Sequence, residues 1–561
     1  QHPTCRIQVS SNLKPMKESL MTTQSPAWQK LAEHQQATSQ LHMRDLFAAD
    51  ANRFDAMHET LHGLLFDYSK NRITEETLTL LCNLADSAQV KQRMQAMRRG
   101  DKINTSENRA SLHIALRLPE NADPIMVDGE NIVPKVHTEL NRALSFAGSI
   151  IDGSHTGITG KRITDLVHIG IGGSDLGPQM GAQALYFYRT GVRVHFVSNS
   201  DDADIAQTLT TLDPETTVFS IASKSFGTPE TLLNGQAARD WYLQHGLPEE
   251  GISHHFCAIS SNVGAAIKFG IPPERVFGMF DWVGGRYSIW STIGFPMMVA
   301  VGPENFREFL RGAHAMDEHF FNTEFRHNIP VLMALLNVWY NNFYHSDGHT
   351  TVPYSHNMRR FTAWLNQLDM ESCGKQRTLD GKPVDCITGG IIFGEEGPNC
   401  QHAYFQLLHQ GTRLIPADFI VPMTTPYGIG RQNRFTVANA FAQSEALMKG
   451  KTLEEARAEL SALPEAEREK LAPQKEFPGN RPSNSFLFDK LDPFNLGMLM
   501  AAYEHRTFVQ GVIWNINPFD QWGVEYGKVL AKAIEPELES GTSAHDSSTN
   551  GLVAFYRQCQ K

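Results

Sequence analysis

Thr216-Thr217-Val218-Phe219-Ser220-Ile221-Ala222-Ser223-Lys224-Ser225-Phe226-Gly227-Thr228-Pro229-Glu230-Thr231 joins two kinds of sequence in one stretch. Its first half, Thr216 to Ala222, is β-branched and apolar and follows Asp213-Pro214, so it reads as a buried strand. Its second half gathers the hydroxyls of Ser223, Ser225, Thr228 and Thr231 around Lys224. Thr228-Pro229 predicts a helix start, with Thr at the N-cap and Pro at the first helical position. Strand, hydroxyl-rich turn and helix N-terminus together make an anion site, because free N–H groups and the helix dipole both favour a phosphate. On these residues alone the alternative is an ordinary, well-capped βα turn.

Working outward, short apolar runs alternate with helical segments between 121 and 300. The runs are Leu166–Ile171, Val192–Ser198, Val218–Ala222 and Phe256–Ser260, with Val276–Phe280 as a fifth. This alternation predicts a doubly wound parallel sheet, whose ligands bind at the carboxyl ends of the strands. Several runs end in Gly, Ser or Asn, which predicts a polar cleft along one edge. A second α/β pattern spans 301–525, with a helix at Val331–Tyr344, strands at Gly389–Gly394 and Leu414–Met423, and helices at Val437–Lys449 and Leu453–Leu471. Residues 21–120 read as a helical arm leading into the first sheet, and 526–561 as a helical C-terminal arm. Residues 1–20 read as an upstream extension and stay outside the fold argument.

At 561 residues the chain is too long for one core. A formal net charge of −11 argues against nonspecific nucleic-acid binding. The sequence has no apolar run long enough for a membrane span. Seven scattered cysteines without C-x-x-C predict a reduced, cytoplasmic chain.

Five further stretches could carry chemistry. Gly170-Ile171-Gly172-Gly173-Ser174-Asp175 fails G-x-G-x-x-G, which argues against a dinucleotide, but it lets a ligand approach backbone N–H groups. Arg286, after Gly284-Gly285, could face an oxyanion or stack on Trp282 or Tyr287. Glu371, after the aromatic helix Phe361–Leu368, could be a base in partly apolar surroundings, which raise a carboxylate's pKa, or a solvated helix-end residue. His402, near the start of a helix, could transfer protons or be structural. Gln521, Val524 and Lys528 share helical spacing, and Lys528 alone reads most simply as a surface lysine. The histidines and cysteines show no Cys/His ligand spacing, so no metal is expected.

In order and wording these stretches resemble the glucose-6-phosphate isomerase family, in its large bacterial type, from about residue 25 to 555. Asp281–Gly294 and Gly511–Lys528 resemble its signature segments; Ile169–Pro178, Ser223–Thr231, Met370–Lys375 and Gln401–Gly411 resemble its active-site segments. The resemblance implies two sugar-isomerase (SIS) α/β sandwich domains, 121–300 and 301–525, a homodimer and no cofactor. It assigns Glu371 as the base between C1 and C2, His402 and Lys528 to ring opening, and Arg286 to the cis-enediol. It assigns Ser223, Lys224, Ser225 and Thr228 to the phosphate, and Gly173, Ser174, Gln367 and Gln521 to other substrate contacts. It also implies that His402 acts on the partner subunit's site. Departures are Ser225 for the usual Thr, Gly227 and Pro229 for Thr and Gln, Asp202 for Gly or Pro, and Cys373 and Cys400 for Asn and Gly. The two cysteines leave local geometry and oxidation sensitivity open, not the reaction class. A non-catalytic sugar-phosphate sensor would lack the Glu371, His402 and Lys528 set, and an aldolase would want a Schiff-base lysine in a single barrel.

Overall fold

A computed structural model describes residues 21–541 and 544–560. The reading of 1–20 as an extension, and Thr542-Ser543 in the C-terminal loop, lie outside these residues. In chain order the strands are β1 His58–Leu61, β2 Leu64–Asp67, β3 Met126–Val127, β4 Glu130–Asn131, β5 Asp165–Ile169, β6 Arg193–Val197 and β7 Thr217–Ala222. They continue with β8 Phe256–Ile259, β9 Val276–Phe277, β10 Gly348–Pro353, β11 Ile391–Phe393, β12 Ala417–Pro422 and β13 Ser483–Phe488.

The five runs of the first half form one parallel sheet in the order β6-β5-β7-β8-β9. Every residue of β5 and β7 is buried, as parallel strands covered by helices on both faces must be. The second sheet has the order β1-β2-β13-β12-β10-β11. Its parallel part, β11-β10-β12-β13, repeats the arrangement of β6-β5-β7-β8: second strand, first, third, fourth.

Three local expectations change. The N-terminal arm is mostly helical, yet it also carries the hairpin β1–β2, and β2 pairs antiparallel with β13. The arm therefore completes the second sheet, where β13 needed a neighbour, rather than leading directly into the first. Leu453–Leu471 is two helices, Leu453–Glu459 and Glu465–Leu471, because Pro464 cannot continue a helix. Strands β10 and β13 are absent from the sequence reading because Gly348-His-Thr-Thr-Val-Pro and Ser483-Asn-Ser-Phe-Leu-Phe are not apolar runs. Two of their buried polar side chains meet Asp418: His349 Nε2 lies 2.9 Å from it, and Asn484 Nδ2 donates to it at 2.8 Å.

The core centres on the helix Pro493–Ile513, in which every residue except Phe494 is buried. Asp492 caps it by accepting Asn495 N–H, and Pro493 opens it. It crosses the helix Pro303–Asn322 so closely that a Cβ on Gly497 would lie 2.1 Å from Phe309 O. A helix buried all round must pair its polar residues internally. Glu504 accepts from Arg117 and Trp290, His505 pairs with Asp317, and Arg506 donates to Asp369.

Candidate active site

The loop after β7 has the expected shape, with Thr228 at the N-cap, but no side-chain cap bond. Pro229 opens the helix Pro229–Gln244. Ser223 Oγ instead closes the loop ahead of the helix, accepting N–H from Gly227 and Thr228 at 3.3 and 3.4 Å, and the Thr228 hydroxyl meets Ser223 Oγ at 3.1 Å. Phe226 supplies the turn in the left-handed region at φ 50°, with its ring buried under the loop. The neighbouring loop braces it from outside: Ser260 Oγ donates to Lys224 O, and Asn262 Nδ2 donates to Ser225 O. Lys224 Nζ lies 3.1 Å from Asp281.

Lys224, Ser225 and Thr228 line a cavity of about 610 Å³, together with Ser261, Trp282, Gly285 and Gln521. Its far wall comes from the N-terminal arm, at Asn104, Glu107 and Arg109. Gln521 links this cavity to the remaining chemistry. Its Oε1 accepts Arg286 Nη1 at 3.1 Å, and the same Nη1 lies 3.3 Å from Glu371 Oε2.

Glu371 owes its position to a backbone irregularity. The helix Phe361–Asn366 runs into a π turn, Gln367–Glu371. Such turns widen a helix by one residue and are frequent at functional sites. This one sends Asp369 inward to Arg506 at 2.7 Å while Glu371 remains part-exposed beside Arg286. Glu371 therefore faces a cation, which the expectation of apolar surroundings did not include. Gln367, on the same turn, packs against Gly172.

The turn Gly172–Ser174 is held against Arg286 by backbone contact. A Cβ on Gly173 would lie 2.1 Å from Gly285 C and 2.7 Å from Arg286 N, so only glycine fits. Ser174 is fixed from below by His168, whose Nε2 lies 2.8 Å from Ser174 O and whose Nδ1 lies 2.7 Å from Ser220 Oγ. A carbonyl can only accept, so the neutral tautomer with Nε2–H donating and Nδ1 accepting satisfies both bonds.

Burial lowers the His168 pKa from 6.5 to about 4. The unfolded chain therefore takes up this proton first, and the associated stability is complete above pH 6.5 and lost as pH falls toward 4. Urea midpoints should fall across that window. The slope should be shallower in His168→Gln, and an unchanged slope would assign it to other groups.

Of the residues singled out by sequence, Glu371 and Gln521 both meet the Arg286 guanidinium. Lys224, Ser225, Thr228 and Gln521 share the cavity, Ser223 stiffens its loop, and Gly173 abuts Arg286. His402 and Lys528 belong to neither group. His402 is exposed at the end of the turn Asn399–His402, and Lys528 is exposed on the helix Glu525–Ser540, beside Glu525 at 3.3 Å. Cys373 and Cys400 are both fully buried, and burial raises both thiols, Cys400 to about 11. Buried, protonated thiols are poor targets, which argues against oxidation at either position. Sequence reasoning missed Ser372, whose Oγ accepts Arg286 Nε at 2.6 Å and meets Tyr287 Oη at 2.9 Å. It also missed the ion pair of Lys375 with Asp520 at 2.8 Å. All three lie inside stretches already quoted, but their types are too common for spacing to assign a role.

A model of the phosphoglucose isomerase family matches residues 67–553. Glucose-6-phosphate isomerase 2 of Neisseria meningitidis serogroup B is 66% identical over 534 residues, covering 95% of this chain and 98% of the relative. Glucose-6-phosphate isomerase of Methylococcus capsulatus is 49% identical over 541 residues, covering 96% and 99%. A crystal structure of a glucose-6-phosphate isomerase from Chlamydia trachomatis superposes with a TM-score of 0.84 at 31% identity, covering 96% of this chain and all of that one. Sequence over nearly the whole length and fold agree: the chain belongs to the phosphoglucose isomerase family.

Proposed function

We propose that this chain's reaction, the interconversion of glucose 6-phosphate and fructose 6-phosphate in glycolysis and gluconeogenesis, runs in the cleft between the Ser223–Thr228 loop and the Arg286–Glu371 pair. The observation that carries this reading is Gln521, which lines the cavity of the hydroxyl-rich loop and also holds the guanidinium facing Glu371. The phosphate binds Ser223, Lys224, Ser225 and Thr228, and inorganic phosphate competes for the same loop. Glu371 takes the C2 proton and returns it at C1. Arg286, 4% exposed and fixed by Ser372, Pro518 O, Asp520 O and Gln521, presents preorganised positive charge to the enediolate. Gly173, Ser174 and Gln367 orient the sugar.

Ring opening falls to His402 and Lys528. Among the described residues neither one makes a hydrogen bond or ion pair with Arg286 or Glu371, which supports a site shared across a homodimer, with His402 given by the partner. The C-terminal arm supports the same reading. Its helices Glu525–Ser540 and Ser547–Cys559 leave Tyr526, Val529, Leu552 and Phe555 well exposed, as an unpartnered interface would. The two parallel sheets correspond to sugar-isomerase domains at 121–300 and 301–525, the second completed by the hairpin of the N-terminal arm. Among the described residues no helix is long and apolar enough to cross a membrane, and the reading includes a cytoplasmic location.

Mixed dimers test the sharing. A hybrid of Glu371→Gln and His402→Ala subunits carries one site with both native groups if His402 acts in trans, and neither parent does. Activity should reappear in proportion to the hybrid measured by native mass spectrometry. Hybrids that form and stay inactive would place His402 in the site of its own subunit.

A further inference from the structure

Behind Arg286 lies a second, fully protein-bound ionic cluster. Lys375 Nζ donates to Asp520 O at 2.6 Å and to Asp520 Oδ1 at 2.8 Å. The other carboxylate oxygen, Oδ2, accepts from Asn517 Nδ2 at 2.8 Å and from Ser106 Oγ at 2.5 Å. Asn517 also donates to Asn104 Oδ1 at 2.9 Å. The 517–521 loop is thus tied on one side to the N-terminal arm and on the other to the segment that follows Glu371. Both ion-pair partners are mostly buried, and burial lowers the Lys375 pKa while Asp520 opposes it.

The cluster meets the reacting groups through one backbone atom. Asp520 O accepts from Lys375 Nζ and also from Arg286 Nη2, at 3.0 Å. The next residue, Gln521, accepts Arg286 Nη1. With Nε on Ser372 and Nη2 on Pro518 O and Asp520 O, only Nη1 is left to face Glu371. A guanidinium released from those acceptors would turn its two-pronged edge to the carboxylate, the geometry such pairs prefer. Glu371 would then be a poorer base, since a stronger cationic partner favours its charged, unreactive pairing.

We infer that the Lys375–Asp520 pair is a positioning device for the isomerase reaction: it fixes the 517–521 loop so that Arg286 offers Glu371 a single N–H and Gln521 stays on the substrate cavity. The inference rests on Glu371 being the base. Glu371 meets Arg286, which in turn donates to the Asp520 carbonyl beside Lys375, while Asp369 is turned away onto Arg506.

Two charge-removing variants separate positioning from simple electrostatics. Losing the anion in Asp520→Asn would by charge alone move the acid limb of the kcat/KM profile to lower pH, and losing the cation in Lys375→Gln would move it to higher pH. Loosening Arg286 moves both limbs to lower pH, and that common direction is the expected result. It should come with a roughly 10- to 100-fold fall in kcat and little change in KM, in keeping with the cost of a small misplacement of catalytic groups. Lys375→Arg, which keeps the charge, should recover most of the loss.

Limbs that move in opposite directions, or near-native kcat in either folded variant, overturn the inference. If both variants prove insoluble, Ser106→Ala removes one bond to the Asp520 carboxylate and should show a smaller shift in the same direction; no shift would be equally decisive. Failure of the underlying assignment looks different, because Glu371→Gln would then retain turnover.

Discussion

Glu371→Gln should bind the phosphorylated sugar and turn it over at least roughly 100-fold more slowly, the lower end of the loss of a general base. The amide keeps the shape and can still meet Arg286 Nη1 through its oxygen, so the Arg286 anchors at Ser372, Pro518, Asp520 and Gln521 should stay in place. On the proposed assignment, what disappears is the acceptor for the C2 proton. Exchange of that proton with solvent should therefore fall with isomerisation, because both pass through the same abstraction. Ring opening, assigned to His402 and Lys528, should persist. A Glu371→Gln enzyme that exchanges and isomerises at near-native rates would move the base to another residue.

Arg117→Met should cost about 3–5 kcal/mol of stability, the range for breaking a buried ion pair from one side. The guanidinium is 2% exposed and forks onto Asp317 through Nε and Nη2, both at 2.6 Å, while Nη1 gives one bond to Glu504 at 2.6 Å. Burial pushes both carboxyls up. On Asp317 the doubly bonded Arg117 and His505 outweigh it and hold the pKa at about 2. On Glu504 the single bond does not, and the pKa stands at about 7. Methionine fills much of the volume but leaves Asp317 ionised among apolar groups with His505 as its remaining close partner. The Asp317 contribution is full above the ordinary carboxylate pKa of 3.8 and lost as pH falls toward 2, so the native protein should show this part of its acid sensitivity below pH 4. A urea-midpoint change worth less than about 1 kcal/mol would mean that the network is not sealed from water.

Legibility of the fold followed burial chemistry. Strands β5, β7 and β8 were readable because apolar runs on both faces carry their own signature. Strands β10 and β13 were not, because polar residues such as His349 and Asn484 become buried strand residues only once Asp418 supplies their partner. The site divides in the same way. The Ser223–Thr228 loop could be read from local residue types, since anion binding at a helix start is a local property. Glu371 was placed by resemblance to a known family, because the π turn that exposes it arises from packing. Ser372, Lys375 and Asp520 act through contacts with residues far along the chain, such as Ser372 with Arg286, and no local pattern distinguishes them from surface residues.

The way the second sheet is assembled also constrains how the chain can be made. β2, near the beginning, finds its hydrogen-bonding partner in β13, with Asp67 opposite Ser485, and the helix that fills the core follows at Pro493–Ile513. During synthesis the early hairpin and the buried faces of the first half must wait for that late segment before the core can close. Contacts so distant in sequence make folding slow and leave sticky intermediates at risk of association. Nascent chains stalled before residue 483 should therefore hold the N-terminal hairpin unpaired and behave as clients of chaperones, while chains stalled after the helix should not.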